Sequence, residues 1–251
     1  VTAKSGYGAL ALATGGVDST TMLYDLAAQE VAARVLYIDF GSPAAPRETA
    51  AVKLIAHRLG LPLDILDASG FAALQLGYLW PSLVSGPELD VGRPAVAEFE
   101  IARSDSRMTS GFGVIAAVGL YTAALLDIPS VSLGIVREQF AIFPGLAAGL
   151  RGAEQLSRAV NPGIEVALAT PLSQQSKATV VKRAVELGVP LHMTWSCAYG
   201  GEKPCGRCER CRARDAAVAE AGAKLTAGPA IDPPAALDMP ATGRKAGRKQ
   251  S

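Results

Sequence analysis

Ala11-Leu-Ala-Thr-Gly-Gly-Val-Asp-Ser-Thr20 joins an apolar run, residues 8–13, to a helical pattern that begins near Thr20. An apolar strand feeding a Gly-Gly turn and then a helix is a common way to build an anion cradle. Gly15 and Gly16 let the backbone turn tightly, and N–H groups with no helical partner point into the concavity. The helix N-terminus adds about half a positive charge, and Thr14, Ser19 and Thr20 carry hydroxyls able to donate hydrogen bonds. No Gly-Lys-Ser/Thr follows at Walker A spacing. The same residues also suit an ordinary βα turn with a good N-cap.

Working outward, residues 20–33 read as a helix and 35–39 as a short apolar strand, after which Phe40-Gly41-Ser42-Pro43 turns the chain. Residues 48–59 form an amphipathic helix with Ala51, Leu54, Ile55 and Leu59 on one face, and 61–66 the next strand. This order predicts an α/β fold with a parallel sheet and right-handed crossovers. Ligands in such sheets bind beyond the carboxyl ends of the strands, where residues 14–20 and 39–42 both fall. Further helices are expected at 110–126, 153–160 and 177–187, the last capped by Ser173 and ended by Gly188, with strands at 131–135 and 164–168. Residues 68–103 read as an irregular insertion, and 137–161 as ill-defined apart from the short helix.

With 251 residues, 49% of them hydrophobic, the chain can bury a real core. Its net charge of +1 announces neither a nucleic-acid nor a membrane partner. Residues 114–126, the longest apolar run, are too short to span a bilayer and read as a buried helix. Val1-Thr-Ala-Lys-Ser carries no apolar signal core, and the clustered cysteines suit a reducing, cytoplasmic setting. Beyond residue 223 the chain is Pro-rich and then basic, which predicts a disordered tail.

All four cysteines, Cys197, Cys205, Cys208 and Cys211, lie in a C-x7-C-x2-C-x2-C run. Four thiolates at that spacing can close a tetrahedral zinc site of net charge about −2, offset by Lys203, Arg207, Arg210, Arg212 and Arg214. An iron–sulfur cluster is the rival, although the Cys-Pro that often follows such a run is missing. A closed four-thiolate zinc site has no open position for water, so its role is to pin the C-terminal segment. It also leaves no free cysteine among the four to carry sulfur.

Residues 14–19 resemble the Ser-Gly-Gly-x-Asp-Ser loop of the PP-loop ATP pyrophosphatases, with Thr14 replacing the first serine and keeping its hydroxyl. Met193-Thr-Trp-Ser-Cys-Ala-Tyr-Gly-Gly-Glu-Lys-Pro-Cys-Gly-Arg-Cys-Glu-Arg-Cys-Arg-Ala-Arg214 resembles the C-terminal signature of the 7-cyano-7-deazaguanine synthase (QueC) family, with Ala198 inserted before Tyr199. Asp39-Phe40-Gly41 and Thr170-Pro171-Leu172 followed by Lys177 resemble that family too. The likeness runs from about residue 8 to 216.

The resemblance implies a PP-loop ATP-binding domain over 1–192, a zinc-binding helical segment over 193–222 and a tail over 223–251. It implies that ATP adenylates the carboxylate of 7-carboxy-7-deazaguanine, releasing pyrophosphate, and that ammonia then displaces AMP. A second ATP-driven step converts the amide to a nitrile. Thr14, Gly15, Gly16, Val17, Asp18, Ser19, Thr20, Asp39 and Gly41 would bind the nucleotide. Asp18 with Mg²⁺ and Ser19 would serve the phosphates, while Lys177 and Arg107 neutralise their charge. Cys197, Cys205, Cys208 and Cys211 would hold Zn²⁺. Family members are commonly homodimers.

The acceptor side departs from the pattern. Asp105-Ser106-Arg107-Met108 stands where the family has Pro-Gly-Arg-Asn, and Gly41-Ser42 where it has Gly-Gln. Gln139-Phe-Ala-Ile-Phe-Pro-Gly145 replaces the family's Ser-Gly-Tyr-Pro-Asp-Cys-Arg, a segment implicated in holding the deazaguanine. An acidic residue is the natural partner for the donor edge of a guanine-like base, and Glu138 is the nearby candidate. Phe140 and Phe143 read as core, and Trp195 either packs on the knuckle or faces the site. His57 and His192 are given bland roles. These departures leave room for an enzyme that stops at the amide or joins the acyl group to an amine on a partner protein, as proposed for QueC-like proteins of antiphage gene clusters. A catalytically silent nucleotide-binding scaffold is the non-enzymatic alternative.

Overall fold

The computed structural model describes residues 6–70 and 111–223. Five parallel strands, β1 (Ala9–Leu12), β2 (Ala33–Asp39), β3 (Leu63–Asp67), β4 (Ser130–Leu133) and β5 (Ala167–Ala169), form one sheet in the order β3-β2-β1-β4-β5. Helices α1 (Val17–Ala28), α2 (Ala45–Arg58), α3 (Phe112–Leu125), α4 (Arg137–Ile142), α5 (Leu146–Val160), α6 (Lys177–Glu186) and α7 (Glu209–Glu220) complete the described elements, with a 3₁₀ turn at Leu191–Met193.

The strand alternation sorts side chains into two layers. Leu10, Leu12, Leu36, Ile38, Val131 and Leu133 pack with Ala116, Leu120, Leu146 and Leu150 of α3 and α5. Ala11, Ala13, Val35, Tyr37 and Leu63 face the other way, onto Met22, Leu23, Val52, Ile55 and Val180 of α1, α2 and α6. The central β1 is buried along its whole length, which is why it reads as a continuous apolar run. The order reverses at β1: the chain runs outward through β2 and β3, then returns to β4 on β1's other side. Such a reversal opens a crevice at the carboxyl ends of β1 and β4.

Several expectations shift. α1 begins at Val17, ahead of Thr20, because Gly16 is already the N-cap and Thr20 N–H donates to the Gly16 carbonyl at 2.9 Å. Ser176 caps α6 in place of Ser173, its Oγ accepting from Thr179 N–H at 3.1 Å, while Ser173 N–H closes a turn onto Thr170. The ill-defined stretch after β4 holds α4, and the short helix expected at 153–160 starts earlier, at Leu146, as α5. α3 is also less buried than its composition suggests: Val114, Tyr121 and Leu125 are exposed, and only Ala116, Gly119, Leu120 and Ala123 are buried. No helix of the described residues is long and apolar enough to cross a membrane. Residues 71–103 of the insertion expected at 68–103, Arg107 and the tail from 224 onward lie outside the described residues.

Candidate active site and metal centre

The loop between β1 and α1 is held by contacts to its backbone. Gly15 has φ +72°, and a Cβ there would sit 2.6 Å from Ala51 Cβ and 2.7 Å from the Val52 nitrogen. Only glycine permits both that conformation and that approach to α2. Gly134, just after β4, comes equally close: its Cβ would lie 2.8 Å from Ser19 Cα. Ser19 Oγ accepts from Thr14 N–H at 3.2 Å and donates to the Gly16 carbonyl at 3.3 Å. The hydroxyl thus braces the turn from inside, while Thr14 is exposed at its mouth. Val17, Asp18 and Ser19 supply the first-turn N–H groups that an α-helix leaves without an internal acceptor.

Lys177 and Asp18, 159 positions apart, meet over this loop, with Nζ 2.5 Å from Oδ2. A lysine at the first position of α6 opposes the helix dipole. Glu138 offsets it, its two carboxylate oxygens accepting the Lys177 N–H at 3.0 and 3.2 Å. Glu138 is therefore engaged as a helix cap, which sequence reading alone did not find. Two buried polar atoms of the loop have no hydrogen-bond partner, Asp18 Oδ1 and Thr20 Oγ1. A buried carboxylate oxygen left this way is suited to a divalent cation, so the residues fit Mg²⁺. Thr20 itself is fully buried.

Asp39 and Gly41 form the neighbouring rim, with Asp39 Oδ1 accepting Gly41 N–H at 2.7 Å. Behind them Glu48, in the first turn of α2, accepts from Tyr37 Oη at 3.2 Å and lies 3.5 Å from Arg210 of α7. Burial pushes Glu48 above the usual carboxylate range, against the pull of Arg210 and the Tyr37 hydroxyl. Tyr37 is raised in turn, chiefly by burial and then by the charge of Glu48. Sequence reading did not single out Glu48; a carboxylate in the first turn of the helix that follows the Asp-x-Gly rim was the available signal.

The four cysteine sulfurs lie within 4.8 Å of one another, with Cys205 Sγ and Cys211 Sγ 4.0 Å apart. Zn–S bonds of about 2.3 Å can span such a cluster, so the donor set fits zinc. Backbone N–H groups point at the sulfurs: Tyr199 and Cys205 at Cys197, Cys208 at Cys205, and Cys211 at Cys208, at 3.3–3.4 Å. Burial raises the Cys197 and Cys211 thiols. It also acts upward on Cys205, but the N–H groups of Arg207 and Cys208 together with the neighbouring Cys197 and Cys208 sulfurs outweigh it and bring that thiol down to about 7. Trp195 is buried against this cluster with Ala44 and Ala51, which decides between its two readings. Phe140 and Phe143 pack on the main core, as expected.

The family model described as "Queuosine biosynthesis protein QueC" matches residues 8–222. The chain belongs to the QueC family. A 7-cyano-7-deazaguanine synthase of Synechococcus sp. (strain CC9902) is 33% identical over 85% of this chain and 93% of its own length. One from Brucella anthropi is 28% identical over 85% and 89%. A 7-cyano-7-deazaguanine synthase 2 of Sulfurisphaera tokodaii is 31% identical over 82% of this chain and 44% of its own. Membership makes the chain an enzyme of the ATP-dependent ligase type.

Proposed function

We propose that this QueC-family member adenylates the carboxylate of 7-carboxy-7-deazaguanine, or a close analogue, for attack by ammonia or another amine, giving an amide or a nitrile. The observation that carries the reading is the Lys177–Asp18 pair at 2.5 Å above a loop whose backbone is fixed by α2 and Gly134. The first-turn N–H groups of α1 and the Lys177 ammonium take the charge that develops on departing pyrophosphate. Asp18 would hold Mg²⁺, which would supply neutralisation of phosphate charge. Gly41 and Asp39 shape the nucleotide rim, and Arg107 is assigned to the phosphates. Zinc on the four cysteines is structural, since a closed thiolate site offers no open position. We read 1–192 as the ATP-binding domain and 193–222 as the zinc segment, in a cytoplasmic and dimeric enzyme.

The altered segment at 139–145, with neither Asp nor Cys, favours one further version, in which the accepting amine belongs to a partner protein, as in an antiviral defence role. The test is pyrophosphate release from ATP with and without 7-carboxy-7-deazaguanine and ammonia, followed by mass analysis. Substrate-dependent release with an amide or nitrile product supports the main reading. Release without either product moves the acceptor to a partner amine, and no release overturns the substrate assignment.

A further inference from the structure

The peptide between Gly15 and Gly16 is the one element of the phosphate loop with no side chain on either flank. Such a peptide can rotate as a unit about its neighbouring φ and ψ angles, because glycine restrains neither. Its carbonyl is held from outside the loop: Trp195 N–H donates to the Gly15 oxygen at 2.9 Å. The peptide is planar and trans, so fixing that carbonyl also fixes the opposite direction of the Gly16 N–H. The Trp195 carbonyl lies beside Gly16 as well, 3.5 Å from where a Cβ would be.

Trp195 is in turn clamped into the cysteine knuckle. Its indole Nε1 donates to the Tyr199 carbonyl at 3.0 Å, and Cys197, two residues on, is fully buried. The Arg47 guanidinium stacks 5.7 Å above the ring and donates through Nε to the Gly201 carbonyl at 3.0 Å. Arg47 belongs to α2, the helix whose Ala51 and Val52 press on Gly15. Residues 194–208 contain no helix or strand, so their path is held by the sulfur cluster, these bonds and packing against Ala44 and Ala51.

We propose that Trp195 is a positioning residue that couples the cysteine knuckle to the phosphate loop, so that metal occupancy and nucleotide affinity depend on one another. This rests on reading residues 14–20 as the phosphate cradle. Losing the metal releases 194–208, frees Trp195 and restores rotation of the Gly15–Gly16 peptide. Nucleotide binding then has to order that peptide again. By linkage, a nucleotide that binds the ordered loop tightens the metal by the same factor.

The experiment uses the zinc-loaded protein and a non-hydrolysable ATP analogue with Mg²⁺. Zinc affinity is measured by competition with a chromogenic chelator, with and without the analogue, and analogue affinity by calorimetry. The expected result is zinc held about fivefold or more tightly with analogue bound. Hydrogen exchange should show the amides of residues 14–19 slowing only when zinc is present. Trp195→Ala keeps the N–H but loses the ring and should abolish most of the coupling, while Trp195→Phe, still stacked under Arg47, should restore much of it. Arg47→Ala should give a partial loss and serves if the alanine variant at 195 does not fold. Coupling within twofold of unity overturns the proposal, as does full coupling in a folded Trp195→Ala. Failure of the zinc-loaded protein to bind the analogue overturns the cradle reading with it; binding that ignores zinc overturns only the coupling.

Discussion

The two sides of the crevice at the ends of β1 and β4 are built in opposite ways. On the β1 side, the turn at Gly15 and Gly16 is fixed through its backbone: α2 beneath Gly15, Gly134 against Ser19, Trp195 N–H on the Gly15 carbonyl and Ser19 Oγ across the turn. On the β4 side, α4 has no fully buried residue: Phe140 packs partly buried on the core, and the hydrogen bonds of the helix are those of its ends. Val136 N–H donates to Gln139 Oε1, Arg137 N–H to the Gln175 carbonyl, and Glu138 accepts from Lys177 N–H. A loop held by backbone packing tolerates almost no change, whereas a surface helix can exchange its side chains without disturbing the sheet. The segment 139–145, which the resemblance leads one to read as altered, lies on this less buried side.

Breaking the rigid side should produce the largest effects. Asp18→Ala removes the carboxylate that pairs with Lys177 and that fits Mg²⁺, and Lys177→Ala removes the opposing charge. Either should lower pyrophosphate release by about a hundredfold or more, the scale of losing one charged stabiliser of a developing anion. Release within threefold of the parent would show that the pair is structural. Gly15→Ala should act on stability as well as rate: the strained φ and the 2.6 Å approach to Ala51 predict a loss of about 2–4 kcal/mol on thermal or denaturant unfolding. A loss under 1 kcal/mol would mean the loop moves freely off α2.

The soft side gives a smaller effect. Glu138→Gln weakens a charged cap on α6 and should cost about 0.5–1 kcal/mol, with little change in KM for the deazaguanine carboxylate. A tenfold rise in KM with unchanged stability would make Glu138 a contact to the base and erase the contrast between the two sides.

What could be read from the sequence follows the same division. Apolar runs and turn glycines announced β1, α1, β2 and α2, since in a parallel sheet buried strands are continuous in hydrophobicity. The cysteine spacing announced the metal centre because four sulfurs in fifteen residues leave few alternatives. Ser173 and Ser176 are both plausible caps, and only the turn closed by Ser173 N–H onto Thr170 distinguishes them. Of α5 only 153–160 was legible, because Gly149 and Gly152 weaken the helical signal of its first half. The nearly uniform apolar composition of α3 gave no sign of which face would be covered. The bonds Trp195–Gly15 and Lys177–Asp18 join residues distant in the chain, and no local pattern encodes them.

The smallest effect lies beneath the rigid side, at Glu48. Burial holds its pKa above the ordinary 4.5 despite Arg210 and the Tyr37 hydroxyl. A carboxylate that binds its proton more tightly when folded lowers stability as pH rises from about 4.5 through the folded-state value, and its full cost is present above that value. Glu48→Gln keeps an acceptor for the Tyr37 hydroxyl and removes the buried charge. It also gives up the contact to Arg210, whose side chain is 62% exposed, so that contact is worth at most about 1 kcal/mol. The glutamine variant should therefore unfold up to a few degrees higher than the parent at pH 7.5, with the gap closing as the pH approaches 4.5. Comparing the two proteins at each pH cancels the metal centre's own acid sensitivity, which both share. A glutamine variant less stable than the parent at pH 7.5 would show that the Glu48–Arg210 contact clamps α7 to α2, adding a side-chain tie to a region otherwise fixed by its backbone.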